Sequence, residues 1–214
     1  MTVTPVKDLI AVLGFVDPSG GKTRAQALKK TRARSAIVVV GMDALERVFV
    51  LHAWAQRCST TALLTEIFAV AERLHPRPFA IEANAMQSLF VDCAAYIAKT
   101  FGRQTLNITP YHQPSGIEKD FRNRTAIQPV LAQGRLFLRE DQRELRSELL
   151  VHPRSPVKDL VDALGSCCAL LPRIAGARGS RNAEADGLAA YLRETGVAPH
   201  EIERRVQDLL AQTR

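Results

Sequence analysis

The sequence predicts an α/β fold: a central mixed β-sheet flanked by helices, with a small helical extension at the C-terminus. Two observations predict it. Three strand-like apolar segments open the chain, and helical and strand periodicities then alternate, with turn-forming residues at the joins.

Residues 9–16 are an unbroken apolar run, the pattern of a buried strand, which stops at Asp17 before the turn formers Pro18, Ser19, Gly20 and Gly21. Residues 35–41, centred on Ile37-Val38-Val39-Val40, predict a second strand, and the alternation over 47–54 predicts a third. Antiparallel hairpin connections join the three. Leu63, Leu64, Ile67, Phe68, Val70 and Ala71 fall at helical spacing within 60–74, and His75-Pro76-Arg77-Pro78 ends that helix. A short strand follows at 79–82, and helical periodicity returns over 86–101 until Gly102. Residues 106–109 are a strand candidate, followed by a polar connection over 111–116. A helix over 118–133 closes at Gly134, a brief strand spans 135–138, and helices cover 142–150 and 157–170.

Beyond Arg173 the composition shifts to Gly, Ala, Arg and Ser. Residues 175–182 read as a linker, and 183–195 and 198–212 as two short amphipathic helices. The expected organisation is a main domain over 1–172 and a linker with helical extension over 173–214. No repeat of solenoid length is present in the sequence.

With 214 residues and 46% hydrophobic content, the chain can bury a substantial core around one main domain. Its formal charge of +7 and pI near 9.6 suit a polyanionic partner, because lysines and arginines that neutralise phosphates release condensed counterions. Cys58, Cys93, Cys167 and Cys168 lack CxxC spacing and an accompanying histidine cluster, which argues against structural zinc and for buried, reduced thiols. No apolar segment is long enough to span a bilayer. Lys7 and Asp8 precede a short apolar run that ends at Asp17 instead of a small-residue cleavage site. A soluble cytoplasmic protein without membrane contact is expected.

Three acidic stretches stand out: Val16-Asp17-Pro18-Ser19, Ile81-Glu82-Ala83-Asn84 and Asp159-Leu160-Val161-Asp162. The first two end strands and the third lies in a helical pattern, so one core could gather their carboxylates. Carboxylates that close repel one another unless cations lie between them. Asp17 and Glu82 could face each other across one sheet edge, and Asp159 and Asp162, at i and i+3, share a helix face. Oxygen-only ligands suit Mg²⁺ or Mn²⁺, and two such ions can activate water and relieve charge on a departing phosphodiester oxygen. An acidic pocket in a basic protein points to metal-assisted cutting of nucleic acid. His112 and His152 have no ligand spacing to these acids and are expected in surface or packing roles.

The order Asp17-Pro18-Ser19-Gly20, Ser35 to Gly41, Val50-Leu51-His52-Ala53-Trp54, Ile81-Glu82-Ala83-Asn84-Ala85-Met86-Gln87, Lys119, Gly134-Arg135-Leu136 and Lys158-Asp159-Leu160-Val161-Asp162-Ala163-Leu164 resembles the C-terminal nuclease domain of phage terminase large subunits. The resemblance covers roughly 9–171 and implies a ribonuclease H-like fold. It also implies a two-metal endonuclease cutting double-stranded DNA with low sequence specificity, as when concatemeric genomes are cut during packaging. Asp17, Glu82, Asp159 and Asp162 would be the catalytic metal ligands, and Lys119 would contact the scissile phosphate. Lys22, Arg24, Lys29, Lys30, Arg32 and Arg34 would form a DNA-gripping loop, without base preference.

Two departures qualify the match. Terminase large subunits carry an ATPase domain before the nuclease, whereas this sequence starts almost at the first nuclease strand. The expectation is therefore the nuclease part of a packaging motor, partnered by a terminase small subunit, a portal or a separate ATPase. In addition, Lys158 stands where the family's last motif often has its first aspartate.

Gly20-Gly21-Lys22-Thr23 after a strand invites comparison with a phosphate-binding loop, but that pattern needs glycine where Val16 stands. Another ribonuclease H-like polynucleotidyl transferase (a transposase, integrase or junction resolvase) shares the acidic pattern. A non-catalytic DNA-binding protein of prophage origin is the alternative from a different class.

Overall fold

The computed structural model describes residues 8–18, 34–82, 87–102, 106, 108–112, 116, 118–194 and 198–211, with side chains described for these except 87–92, 101, 177–194 and 208–211. The three opening apolar segments form strands β1 (Leu9–Asp17), β2 (Ser35–Asp43) and β3 (Val48–Gln56), each antiparallel to the next. Every residue of β2 is buried, which accounts for its continuous apolar run in place of an alternating one. At the β2–β3 turn the Asp43 carboxylate accepts the backbone N–H groups of Leu45 and Arg47, at 3.0 and 2.9 Å, and holds the hairpin closed.

Helix α1 (Thr60–Leu74) follows. Ser59 Oγ accepts the Ala62 N–H at its start, and His75, in the left-handed conformation, donates its N–H to Ala71 O at its end. The chain then returns as β4 (Phe79–Glu82), parallel to β1 on the side away from β2. Gly14 makes that approach possible: a Cβ there would lie 2.2 Å from Phe79 Cε1, so the buried ring packs over a bare backbone.

Helix α2 (Gln87–Phe101) leads to β5 (Ile108–Tyr111), parallel to β4. This strand lies two residues beyond its expected start and contains Pro110, which an outermost strand tolerates because it needs fewer ladder donors. Helix α3 (Lys119–Ala132), β6 (Leu136–Phe137), parallel to β3, and α4 (Arg143–Val151) follow. The sheet order is β5-β4-β1-β2-β3-β6.

One sheet face, with Val12, Val16, Ile37 and Val39, packs in a core with Leu63, Leu64, Ile67 and Val70 of α1. The alternation of strand side chains sends Val38 to the other face, where the Cys167 thiol reaches its carbonyl at 3.6 Å. Cys167 belongs to helix α5 (Asp159–Glu194). All four cysteines are free, and Cys167 and Cys168 are buried.

The chain divides into two compact units, Met1–Leu171 and Pro172–Arg214. The linker expected over 175–182 is helical, as part of α5. Its alanines and arginines are strong helix formers, and a glycine in a helix costs only about 1 kcal/mol relative to alanine. In the second unit, helix α6 (Pro199–Ala211) carries Glu201, which pairs with Arg204 and Arg205. Among the described residues no helix is long and apolar enough to cross a membrane.

Candidate active site

Asp17 is the last residue of β1 and Glu82 the last of β4. The parallel register pairs Val16 with Ile81, so one step further the two acids leave adjacent strand ends on the same lip of the sheet. Glu82 is close enough for its charge to act on the Asp17 carboxyl. The first turn of α5 brings Asp162 to the same place, its side chain only 8% exposed.

Between these acids stands Lys119, the first residue of α3. Its Nζ is 3.3 Å from Asp17 Oδ2 and 3.0 Å from Asp162 Oδ2. One turn along the same helix, buried Asn123 donates from Nδ2 to Asp162 Oδ1. Helices α3 and α5 approach closely there because residue 165 is glycine: a Cβ would lie 2.5 Å from Asn123 Oδ1.

Burial drives the electrostatics. It raises Asp17 to about 6, a rise that Lys119 opposes and the neighbouring Glu82 reinforces. Burial likewise raises Asp162, again opposed by Lys119 and reinforced by Asp17. Burial pulls Lys119 downward, but the attractions of Asp17, Asp162 and Glu82 outweigh it and hold the ammonium above its ordinary range. A single ammonium does not neutralise three carboxylates, so the site favours further positive charge.

This donor set fits a hard divalent cation. Its charged ligands are carboxylate oxygens, as Mg²⁺ and Mn²⁺ prefer, and the Lys119 ammonium already stands as a cation between two of them. Among the described residues no three acids, histidines or cysteines are grouped closely enough to hold an ion as they stand. Lys119 occupies the space between Asp17 and Asp162.

The structure thus brings Asp17, Glu82, Asp162 and Lys119 together, but it places Asp159 differently. Asp159 Oδ2 accepts from Arg34 Nε at 2.9 Å, in a second cluster in which Arg34 also meets Glu144 and Glu148. Arg34 is correspondingly not an exposed member of a basic loop. Its side chain is 11% exposed, and three carboxylates engage its guanidinium. Lys22, Arg24, Lys29, Lys30, Arg32 and Asn84 lie outside the described residues. Lys158, at the departure from the terminase motif, pairs with Asp120. His112 is exposed, and His152 lies against Asp120 at 3.8 Å.

Sequence reasoning missed Asn123 and Glu148. The only sequence sign of Asn123 is its i+4 spacing from Lys119. Glu148 gives no local sign at all, since its partners are in β2's approach and in α5.

No protein-family model matches the sequence, and no curated protein matches it. Among solved structures, the fold is similar to that of the yeast mitochondrial Holliday junction resolvase Ydc2, with a TM-score of 0.50 and 8% identity over 80% of this chain and 82% of that one. RuvC of T. thermophilus, in complex with a Holliday junction substrate, matches with a TM-score of 0.40 and 14% identity, over 79% of this chain and 95% of that one. The fowlpox virus resolvase, in complex with Holliday junction DNA, matches with a TM-score of 0.39 and 13% identity, over 75% and 99%. The likeness to the yeast protein, together with the strand order, gives the fold as ribonuclease H-like.

Proposed function

We propose that this chain is a divalent-metal-dependent DNA endonuclease. The observation that carries the reading is the pairing of Asp17 and Asp162 with one ammonium at the ends of parallel β1 and β4, where Glu82 ends the neighbouring strand. These three carboxylates would hold two Mg²⁺ or Mn²⁺ ions, which when bound supply an activated water and neutralise the departing oxygen. Asn123 holds Asp162 in one orientation. Lys119 would be freed from the acids by bound ions and would then bind a phosphate oxygen, and the net charge of +7 favours a DNA backbone.

Two substrates suit this chemistry. The yeast resolvase of the same fold supports a four-way DNA junction, and the structural neighbours favour that version. The order of the sequence motifs supports the terminase version, cutting linear duplex during packaging; its implied partners, a small subunit, a portal or an ATPase, rest on that resemblance alone.

The test offers the purified chain a supercoiled plasmid, a linear duplex and a synthetic four-way junction, with Mg²⁺, with Mn²⁺ or with EDTA. Paired nicks in opposite junction arms select the resolvase version, and linearised plasmid the packaging version. Metal-dependent cleavage of either kind must vanish in Asp17→Ala and Glu82→Ala. DNA retention without cleavage in both metals would overturn the enzyme reading and favour a binding protein.

A further inference from the structure

Helix α5 begins without a capping residue of its own. Lys158 precedes it, and a lysine side chain has no oxygen to accept the unpaired amides of the first turn. Glu148, reaching from α4, takes that role. Its Oε2 accepts the N–H groups of Leu160 at 2.9 Å and Val161 at 3.1 Å, immediately before Asp162. Its Oε1 accepts from Arg34 Nη2 at 2.7 Å. Glu148 is 4% exposed, so this carboxylate is committed to these partners.

Arg34 completes the connection. It directly precedes β2, in which Ala36 is the register partner of Asp17. Its Nε holds Asp159 at 2.9 Å, on the same first turn of α5. One guanidinium and one carboxylate therefore link the strand beside Asp17 to the helix turn bearing Asp162.

We propose that Glu148 and Arg34 are positioning residues for the candidate metal site, setting the separation of Asp17 and Asp162 without touching the metal themselves. This rests on the endonuclease reading in one respect: that Asp17 and Asp162 hold a divalent ion together. The planar fork of Arg34 is needed for the three-way contact, so lysine at this position keeps the charge and loses the geometry.

The experiment is calorimetric titration of the full chain with MnCl₂ alone, for wild type, Glu148→Gln and Arg34→Lys, with Glu201→Gln as a control that disturbs an ion pair in α6. Melting in EDTA checks folding, and if Glu148→Gln does not fold, Arg34→Lys carries the test. The expected result is Mn²⁺ affinity about 10- to 100-fold weaker in both variants, the range for groups that orient ligands, and unchanged in the control. Cleavage by the variants should return towards the wild-type rate at saturating Mn²⁺, a shift in the metal's KM and not in kcat. Wild-type Mn²⁺ affinity in folded variants overturns the positioning role and leaves the endonuclease reading intact. A wild-type chain that binds no Mn²⁺ overturns that reading, and the positioning role with it.

Discussion

Lys119 Nζ lies 3.0 Å from Asp162 Oδ2, an ion pair that joins the first residue of α3 to the first turn of α5. The same nitrogen reaches Asp17 on β1, so one side chain binds three elements together at the sheet's lip. A metal ion arriving there would compete with it.

Lys119→Met should therefore lower stability in EDTA and be compensated by metal. Breaking a fully buried pair costs about 3–5 kcal/mol, but Lys119 is 37% exposed and solvent screens part of that, so about 1–2 kcal/mol is expected. Added Mn²⁺ should raise the melting temperature of the variant by more than that of the wild type. Denaturant melts with EDTA and with Mn²⁺ test this, and an equal deficit in both conditions would count against an ammonium standing in for a metal.

Asp17→Asn should stabilise the metal-free protein at high pH. Burial first, and Glu82 further, raise the Asp17 carboxyl from 3.8 to about 6, against the pull of Lys119. The folded state thus binds this proton more tightly than the unfolded chain. Its contribution to stability is complete below about pH 3.8 and lost as pH rises through about 6. At about 1.4 kcal/mol per unit, the wild type forgoes about 3 kcal/mol near pH 8, which the uncharged asparagine would recover. Urea midpoints in EDTA should favour the variant near pH 8 and converge near pH 4. A variant less stable than wild type at both would refute the assignment.

The acids legible in the sequence were those whose position is fixed by local pattern. Asp17 and Glu82 each end an apolar strand; two antiparallel hairpins return β3 to the direction of β1, and the helical crossover from β3 brings β4 in parallel to β1, so the two strand ends share an edge. Asp162 follows from helical spacing, but spacing could not separate it from Asp159. Their partners, Lys119 and Arg34, are distant in sequence from both acids, and only the folded chain shows which acid each takes. Lys119 was marked by family resemblance alone. Asn123 and Glu148 act through contacts distant in sequence, which periodicity does not encode. The helical stretch after Pro172 was hidden by a composition of alanine, glycine and arginine that suits a linker and a helix alike.

Asp159 and Asp162 should separate sharply in function. Asp162→Asn removes a carboxylate at the candidate metal site and should reduce cleavage by more than about 100-fold. Asp159→Asn disturbs only the contact with Arg34 and should stay within about 10-fold, the lower end for groups that orient ligands. Rates on one DNA substrate with Mg²⁺ in excess would decide the point. Equal losses would put Asp159 among the ligands and Arg34 in competition with the ion.

Gly165→Ala provides the sharpest test of the α3–α5 contact. At an open helical position the change would stabilise by about 1 kcal/mol through helix propensity. Here the new Cβ would lie 2.5 Å from Asn123 Oδ1 and 2.9 Å from its Cγ, so the amide must leave Asp162 or the helices must separate. Overpacking of this kind costs about 1–3 kcal/mol, giving a net loss of about 1 kcal/mol. The loss should depend on the Asn123 side chain. An Asn123→Ala background removes the two closest of these contacts and leaves the backbone Cα at 3.1 Å, so the penalty of Gly165→Ala should fall towards zero. A double-mutant cycle by urea denaturation measures that coupling. If Gly165→Ala is equally harmful in both backgrounds, the backbone approach of the helices alone demands glycine, and the Asn123 amide is free of it.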